Sequence, residues 1–306
     1  MPTTTSTSVL PLDGYNPHDA IPRNKIIQAT ETAPMIYEGG GVKVLRVHSD
    51  MVLKFGHEVR LSEAQNMRFV ASYTDIRLPA VMDAWEESSE DPSEVRKTGY
   101  ILMSHIEGVV VSEIWETMDS EVRYKIYNQL VRIVSKLHQT ELGDPGPVGG
   151  GISHGTLFTD YGAGPFISTK DMEAWFNERL LVCQQFNLAS QTQPSFSGQL
   201  QPLVMCHLDI APRNLMLDRH GKVWLLDWAF AGAYPEHFEY AVLAKREPSF
   251  TRGLLRMLHY SGKIQEQVEQ LNLISFALST GAVTRPAGYK GYNIPGYYDY
   301  DDIQIT

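Results

Sequence analysis

The residues best suited to chemistry in this chain are an aspartate, a nearby asparagine and a second aspartate. Asp209 and Asn214 lie in the run H-L-D-I-A-P-R-N at 207–214, and Asp227 ends a later apolar run. Kinase-type phosphoryl transfer uses one carboxylate to orient and accept a proton from a hydroxyl, and a downstream Asn and Asp to hold Mg²⁺ on the nucleotide phosphates. The order of these residues therefore predicts an ATP-dependent kinase with Asp209 as the base.

Each of these three residues also has a purely structural interpretation. Asp209 alone would be a turn former after a strand, Asn214 a turn cap, and Asp227 a hydrogen-bonded buried acid. The presence of all three in kinase order favours the catalytic interpretation. An ionised Asp at the end of an apolar strand is costly unless it is paired or binds a metal, so Asp227 is a predicted Mg²⁺ ligand together with Asn214. The turn at Gly221 predicts a hairpin that brings these two ligands close to each other.

A lysine within an apolar run extends the pattern. Lys54 interrupts the strand-like segment 51–55. An ammonium in such a place reaches the α- and β-phosphates of a nucleotide when a carboxylate holds it. Glu63 is the expected holder, and Glu58 is the alternative. Alone, Lys54 would be an exposed lysine on a polar strand face, but the downstream motif favours a nucleotide-binding role.

Two backbone segments are candidates for nucleotide contacts. Gly40 and Gly41 belong to a triple glycine between two predicted strands, where backbone amides can approach phosphate. A triple glycine is equally typical of a tight turn. The segment after Met103 would link two lobes, and its backbone near Ser104 and Ile106 is expected to hold an adenine edge.

The order of predicted elements is short strands first and helices later. Apolar alternation and turn residues predict the strands, at 35–37, 42–47, 51–55 and 99–103, with an extended piece near 78–81. Apolar spacings of three and four predict the helices, at 21–30, 60–74, 121–140, 170–186, 236–245, 250–260 and 265–278. Polar or Gly/Pro-rich composition predicts loops, at 86–97 and 143–166.

This order predicts an α+β, bilobal fold. The expected N-terminal lobe is small, β-rich and nucleotide-binding, and spans residues 1–104 with a loose lead-in over 1–30. The expected C-terminal lobe is mainly helical, carries catalysis and substrate binding, and spans 105–306. We expect the ligand to lie between the lobes.

Composition limits the classes of function. Of the 306 residues, 43% are hydrophobic and 20% charged, as in ordinary globular proteins. The net charge of −10 argues against a nucleic-acid partner, because phosphate binding needs a basic face, and it weakly favours an amine-bearing or polyol substrate. No membrane partner is expected, because no apolar run approaches spanning length, and the Thr/Ser-rich start does not resemble a signal peptide. We therefore expect a cytoplasmic protein.

These residues resemble the aminoglycoside phosphotransferase family, especially its fungal members, within the wider protein-kinase-like fold. The segments that carry the resemblance are 207–214, 226–236, Lys54 with Glu63, and the hinge at 100–108. The resemblance implies ATP, Mg²⁺ and phosphorylation of a hydroxyl on a small molecule, such as an amino alcohol, an aminoglycoside-like compound, a sugar or a natural product. It also implies that Asp209 is the base, that Asn214 and Asp227 hold the metal, and that Lys54 pairs with Glu63.

The chain departs from protein kinases at three points. Ala211 stands where serine/threonine kinases carry a lysine, and Asp227 is followed by Trp–Ala rather than Phe–Gly. Pro235 and Glu236 follow soon after Asp227, which leaves little room for a peptide-docking segment. A protein substrate is therefore disfavoured.

Other classes of function stay open. A nucleotide-binding scaffold would keep the fold without catalysis, and a kinase-like fold recruited to other small-molecule chemistry would use the same residues differently. A metal-dependent hydrolase would need a histidine cluster, and the spacing of the histidines relative to His207 is not that of metal ligands. The sequence makes no prediction of oligomeric state.

Overall fold

The structure is a computed structural model that describes residues 9–88, 97–246 and 248–285. These divide into two compact units. The first contains the chain up to Val110 and the segment Met216–Ala229, and the second contains Val111–Leu215 and the chain from Phe230 onward. We predicted a single boundary after residue 104. The observed division differs because Val109 and Val110 pair with the strand around Met216, which adds the later segment to the first unit.

The helices and strands are as follows, in chain order. The first half contains α1 (Arg23–Ala29), β1 (Met35–Gly39), β2 (Val42–His48), β3 (Met51–Gly56), α2 (Leu61–Tyr73), β4 (Val81–Ser88), β5 (Lys97–Ser104), β6 (Val109–Val110), α3 (Val111–Ile114) and α4 (Ser120–His138). The second half contains α5 (Thr169–Gln185), β7 (Leu203–Cys206), β8 (Leu215–Leu217), β9 (Val223–Leu225), β10 (Gly232–Pro235), α6 (Glu236–Ala244), α7 (Pro248–Leu258), α8 (Gly262–Leu273) and α9 (Ser275–Leu278). An antiparallel sheet followed by a mainly helical region confirms the predicted α+β fold.

The first unit is built on a five-stranded antiparallel sheet with the order β1-β2-β3-β5-β4. Side chains alternate between the two faces of a strand. Leu53 on β3 packs into one core cluster with Ile26 of α1, whereas Ile101, opposite Lys54 in the ladder, packs with Ala64 of α2. Lys54 therefore faces the side of the sheet that α2 covers.

Two predicted segments of the first unit differ from the structure. The predicted loop at 86–97 is strand at both ends, because β4 continues to Ser88 and β5 begins at Lys97, and residues 89–96 lie outside the described ones. The predicted loose lead-in contributes to the core, where Leu12 is only 2% exposed. A short polar segment carries no clear strand pattern, because its pairing is decided by the neighbouring strand.

The second unit packs its helices around β7 and β10. Asp119 caps α4 by accepting a 2.8 Å hydrogen bond from the N–H of Val122, and the apolar stripe of that helix is buried as predicted. Aromatic side chains fill the core between α5, β10 and α6, among them Phe158, Phe176, Tyr234 and Phe238. β7 ends at Cys206, so the residues that follow start from a fully buried strand. No helix in the described residues is long and apolar enough to cross a membrane.

Candidate active site

Two carboxylates hold Lys54 within the first unit. Its Nζ lies 2.8 Å from both oxygens of Glu63, of which Oε1 has hydrogen-bond geometry, and 2.9 Å from Oδ1 of Asp227. Burial alone would lower the pKa of this lysine, but the charges of Glu63 and Asp227 outweigh burial and raise its pKa. Lys54 is therefore a fixed, charged ammonium. Glu58, the alternative holder, pairs instead with Arg60 at 2.6 Å.

Asp227 lies at a backbone position that few residues adopt. Its φ of +60° is left-handed, a conformation that aspartate tolerates better than most side chains. The next residue, Trp228, is fully buried, and its carbonyl accepts a 3.1 Å hydrogen bond from Asn66 of α2. The Asp227 side chain is 41% exposed, so its carboxylate is tied to Lys54 and still accessible to solvent.

The glycine pair occupies a tight turn. Gly40 and Gly41 connect β1 to β2 with φ values of +57° and +76°. Two left-handed residues in a hairpin turn account for glycine at both positions without any ligand. The structure therefore supports the turn interpretation, and contact of these amides with phosphate stays a prediction.

The last residue of β5 and the segment after it already use part of their backbone for hydrogen bonds within the first unit. The N–H of Ser104 donates to the Ala80 carbonyl at 2.9 Å, and the N–H of His105 donates to the Asp50 carbonyl at 2.8 Å. An adenine edge would therefore use the carbonyl of Ser104 and the N–H of Ile106.

Within the second unit, the loop after β7 carries Asp209. Glu239 accepts hydrogen bonds from the N–H groups of His207 at 2.6 Å and Leu208 at 3.2 Å. His207 Nδ1 accepts a 3.2 Å hydrogen bond from the N–H of Asp209, which braces the loop. Leu208 has a left-handed φ of +59°, unfavourable for leucine, so the Glu239 carboxylate stabilises a strained loop.

Sequence reasoning did not identify Glu239. The residue is fully buried on α6, and burial raises the pKa of its carboxyl to about 7, although its two backbone hydrogen bonds act in the opposite direction. A signal was present, because Glu239 lies among Phe238, Tyr240 and Ala241. An acid in such an apolar stretch of helix needs a buried partner.

The carboxylate of Asp209 is buried and held by three side chains. Arg213 Nη2 lies 2.6 Å from Oδ1 and 2.7 Å from Oδ2, and Arg246 Nη2 lies 2.5 Å from Oδ1. Asn214 Nδ2 donates to Oδ2 at 2.7 Å and to the Asp209 carbonyl at 2.9 Å. Neither arginine was predicted as a site residue. Arg213 belongs to the motif itself, whereas nothing in the sequence connects Arg246 with it.

The donor atoms of the two predicted metal ligands suit magnesium. Asn214 turns its amide nitrogen to Asp209, so its amide oxygen is the atom that would face a metal. Asp227 offers a carboxylate. Mg²⁺ prefers such hard oxygen ligands and completes its shell with water and phosphate. Asn214 belongs to the second unit and Asp227 to the first, and their joint use stays a prediction.

A different group of potential ligands lies behind the Asp209 loop. In the part of the chain that the structure describes, only His138, Cys206 and Glu239 place three ligand atoms within 4.8 Å of one another. Both oxygens of Glu239 already accept backbone hydrogen bonds. The group includes neither Asp209 nor Asp227, so it does not support a hydrolase built on the predicted residues.

Comparison with known proteins identifies similar sequences and folds. The profile of the family described as "Phosphotransferase enzyme family" matches residues 40–268. A GDP complex of an aminoglycoside 2'-phosphotransferase-IIIa mutant is similar over 80% of this chain and 81% of its own, at 12% identity and a TM-score of 0.53. ADP-bound aminoglycoside phosphotransferase APH(2'')-Ib is similar over 88% and 91%, at 12% identity and a TM-score of 0.52.

A third similar structure contains both a nucleotide and a second ligand. It is a ternary complex of an aminoglycoside phosphotransferase APH(4)-Ia mutant with ADP and hygromycin B, similar over 83% of this chain and 90% of its own, at 13% identity and a TM-score of 0.53. No curated protein sequence matches the chain. At identities this low, the structural similarity establishes the kinase-like fold but not the substrate. The family profile is the evidence for the family, because it matches most of the chain. The chain belongs to the phosphotransferase enzyme family.

Proposed function

We propose that this protein is an ATP-dependent kinase that transfers the γ-phosphate to a hydroxyl of a small molecule. The observation that carries the proposal is the ion-pair network of Lys54 with Glu63 and Asp227. A buried ammonium, held in one place by two carboxylates, is the part of a kinase site that binds nucleotide phosphates. Membership of a phosphotransferase family agrees with this use.

The nucleotide would bind to residues of the first unit. Lys54 contacts the α- and β-phosphates, and Glu63 holds the lysine. The N–H groups of Gly40 and Gly41 approach the phosphates from the β1–β2 turn. The Ser104 carbonyl, at the end of β5, and the Ile106 N–H, just after it, would take the adenine edge.

Asp209 would act on the acceptor. Its carboxylate accepts the hydrogen bond of the acceptor hydroxyl and takes the proton, while the acceptor oxygen forms a bond to the γ-phosphorus and the bond to the β–γ bridging oxygen breaks. Asn214 and Asp227 would hold Mg²⁺, which supplies charge neutralisation on the phosphates when bound. ATP becomes ADP, and the acceptor becomes a phosphate monoester.

The proposed acceptor is a hydroxylated small molecule. Amino alcohols, aminoglycoside-like compounds, sugars and natural products all carry suitable hydroxyls. Hygromycin B is a ligand of the similar APH(4)-Ia structure, which is a different protein. The run at 207–214 supports a place among the fungal-type members of the family. The cytoplasmic location stays a prediction.

The test is ADP production from Mg·ATP with a panel of hydroxylated small molecules, comparing the wild type with Asp209→Asn. The substitution keeps the shape and removes the base. Loss of a general base lowers turnover by about 10²- to 10⁴-fold. A thermal shift with Mg·ATP, measured on both proteins, separates loss of chemistry from loss of nucleotide binding. Unchanged turnover in Asp209→Asn would refute the role given to this residue.

A further inference from the structure

The Asp209 carboxylate is surrounded by more positive charge than it neutralises. Arg213 and Arg246 both contact it, at 2.6 Å and 2.5 Å from Oδ1. One carboxylate and two guanidinium groups leave a surplus of one positive charge. Asp209 is 3% exposed and the Arg246 side chain 24%, so the contact between these two is largely shielded from water, whereas the Arg213 side chain is 51% exposed. Charges interact more strongly away from water, so this surplus influences which ligand can approach.

The hydrogen-bonding capacity of Asp209 is already in use. An ionised carboxylate has about four lone-pair sites. Oδ1 accepts from Arg213 and lies 2.5 Å from Nη2 of Arg246, which occupies its remaining side, and Oδ2 accepts from Arg213 and Asn214. A base must also accept a hydrogen bond from the acceptor hydroxyl. One of the present donors therefore has to leave before Asp209 can act.

Arg246 is the donor whose surroundings favour its departure. Its second contact is a 3.2 Å hydrogen bond from Nη2 to the Thr156 hydroxyl. Its Nε is buried and has no hydrogen-bond partner among the described residues. A buried, unsatisfied N–H of a charged group is costly, and an incoming acceptor atom would remove that cost. Asn214, by contrast, is tied to Asp209 twice.

We propose that the acceptor is an anionic hydroxylated small molecule whose carboxylate or phosphate group binds Arg246. The inference rests on the proposed kinase function and names its substrate class. A guanidinium matches a carboxylate or phosphate with paired N–H donors. The same contact binds the acceptor and releases Oδ1 of Asp209 for the hydroxyl. An amine-bearing acceptor would instead meet the surplus positive charge.

The experiment uses matched acceptors that differ in one group. One set is gluconate, glucitol and 1-amino-1-deoxyglucitol, and another is glycerate, glycerol and 3-aminopropane-1,2-diol. ADP production gives kcat/KM for each compound. For compounds that are not turned over, calorimetric titration with saturating AMP-PNP gives the affinity. The kcat/KM or the affinity of the acidic member is expected to exceed that of its neutral and amine partners by about tenfold or more. This factor corresponds to the free energy of one charged hydrogen bond.

Variants locate the effect on Arg246. Arg246→Gln is expected to raise the KM for the acidic acceptor by about 10- to 100-fold, with the KM for ATP unchanged, and Arg246→Lys should restore part of the preference. Arg252→Gln, an exposed arginine on α7, is the matched control and should change neither KM. If Arg246→Gln does not fold, Thr156→Val tests the same point, because removing the hydroxyl that positions Arg246 should shift the same KM by a smaller factor.

Three outcomes overturn the inference. The first is a wild type that prefers the neutral or amine member or does not distinguish the members of a set. The second is an Arg246→Gln variant in which only the KM for ATP rises, which would assign the arginine to the nucleotide. In both, a retained thermal shift with Mg·ATP leaves the kinase function standing. The third is no thermal shift with Mg·ATP, which overturns the kinase function and with it the inference.

Discussion

The two charged clusters of this protein have opposite surpluses. In the first unit, one lysine faces two carboxylates, because Lys54 contacts both Glu63 and Asp227. In the second, one carboxylate faces two arginines at Asp209. Each surplus is partly exposed, because the Asp227 side chain is 41% exposed and the Arg213 side chain is 51% exposed, so a ligand of opposite charge can reach it. The first cluster is therefore suited to a cation such as Mg²⁺, and the second to an anion.

The clusters also differ in how they are supported. Lys54 and Glu63 lie on β3 and α2, which are both regular elements. Asp209 lies on a loop whose strained residue, Leu208, depends on the buried Glu239. We therefore expect the first cluster to respond most strongly to loss of a charge, and the second to respond most strongly to pH.

Removal of Lys54 should have the largest effect on the first cluster. Lys54→Met leaves Glu63 buried without its counter-charge, and breaking a buried pair from one side costs about 3–5 kcal/mol. We expect that loss in the free energy of unfolding, measured by urea denaturation, together with loss of nucleotide binding. Lys43→Met, at an exposed pair with Glu38, should cost less than about 1 kcal/mol. Equal costs for the two variants would show that the Lys54 cluster contributes no special stability.

A second variant separates charge from packing at Lys54. Lys54→Met combined with Glu63→Leu removes both members of the buried pair and should recover much of the lost stability. Nucleotide binding should stay absent, because the phosphate contact is gone. A double variant as unstable as the single one would mean that shape, not charge, dominates at this position.

The pH dependence of stability tests the second cluster. Burial raises the pKa of Glu239 from 4.5 to about 7, so the folded protein binds this proton more tightly than the unfolded chain does. The stability that this group contributes is present below pH 4.5 and is lost as pH rises to about 7. The rise from 4.5 to about 7 corresponds to about 3–4 kcal/mol, because each pKa unit is worth about 1.4 kcal/mol.

Comparison with Glu239→Gln isolates that contribution. The difference in unfolding free energy between wild type and Glu239→Gln should fall from pH 5 through pH 7 and level off by pH 8. Burial lowers the pKa of His138 to about 4 and that of His237 to about 3, which makes stability rise with pH over part of this range. Both proteins carry His237, so its effect cancels. His138 lies within 4.8 Å of Glu239, so the comparison is made in a His138→Gln background, where this histidine no longer titrates. A difference independent of pH would contradict the raised pKa of Glu239.

Removal of one negative charge tests the cation preference of the first cluster. Asp227→Asn keeps a hydrogen-bond acceptor for Lys54 and removes the surplus. We expect ATP without magnesium to stabilise wild type and variant alike, whereas the additional stabilisation by Mg²⁺ should disappear in the variant. A ligand at a hundred times its Kd stabilises by about 2.7 kcal/mol, which thermal shift resolves. Full Mg²⁺ stabilisation in Asp227→Asn would exclude this carboxylate as a metal ligand.

The sequence allowed prediction of the elements and of the residues whose types are rare in their surroundings. Lys54 in an apolar strand and Asp209 after one could be recognised because a charge in an apolar setting is costly unless it is paired or bound to a ligand. The arginine at 246 could not, because a charged residue that follows a helix has no pattern to distinguish it. Glu239 lies between these cases: its apolar neighbours signalled a buried acid, but its backbone partners are set only by the fold.

The smallest effect is expected in the β1–β2 turn, whose backbone amides would contact the same phosphates as Lys54. Gly41→Ala forces alanine into a left-handed φ and places its Cβ 3.0 Å from Cγ of Glu58, which should cost about 1–2 kcal/mol. Gly14→Ala, at a glycine whose added Cβ would meet nothing within 4 Å, should cost much less. If the turn also binds phosphate, Gly41→Ala raises the KM for ATP at a temperature where the variant is fully folded. An unchanged KM would limit these glycines to shaping the turn and leave Lys54 as the phosphate contact.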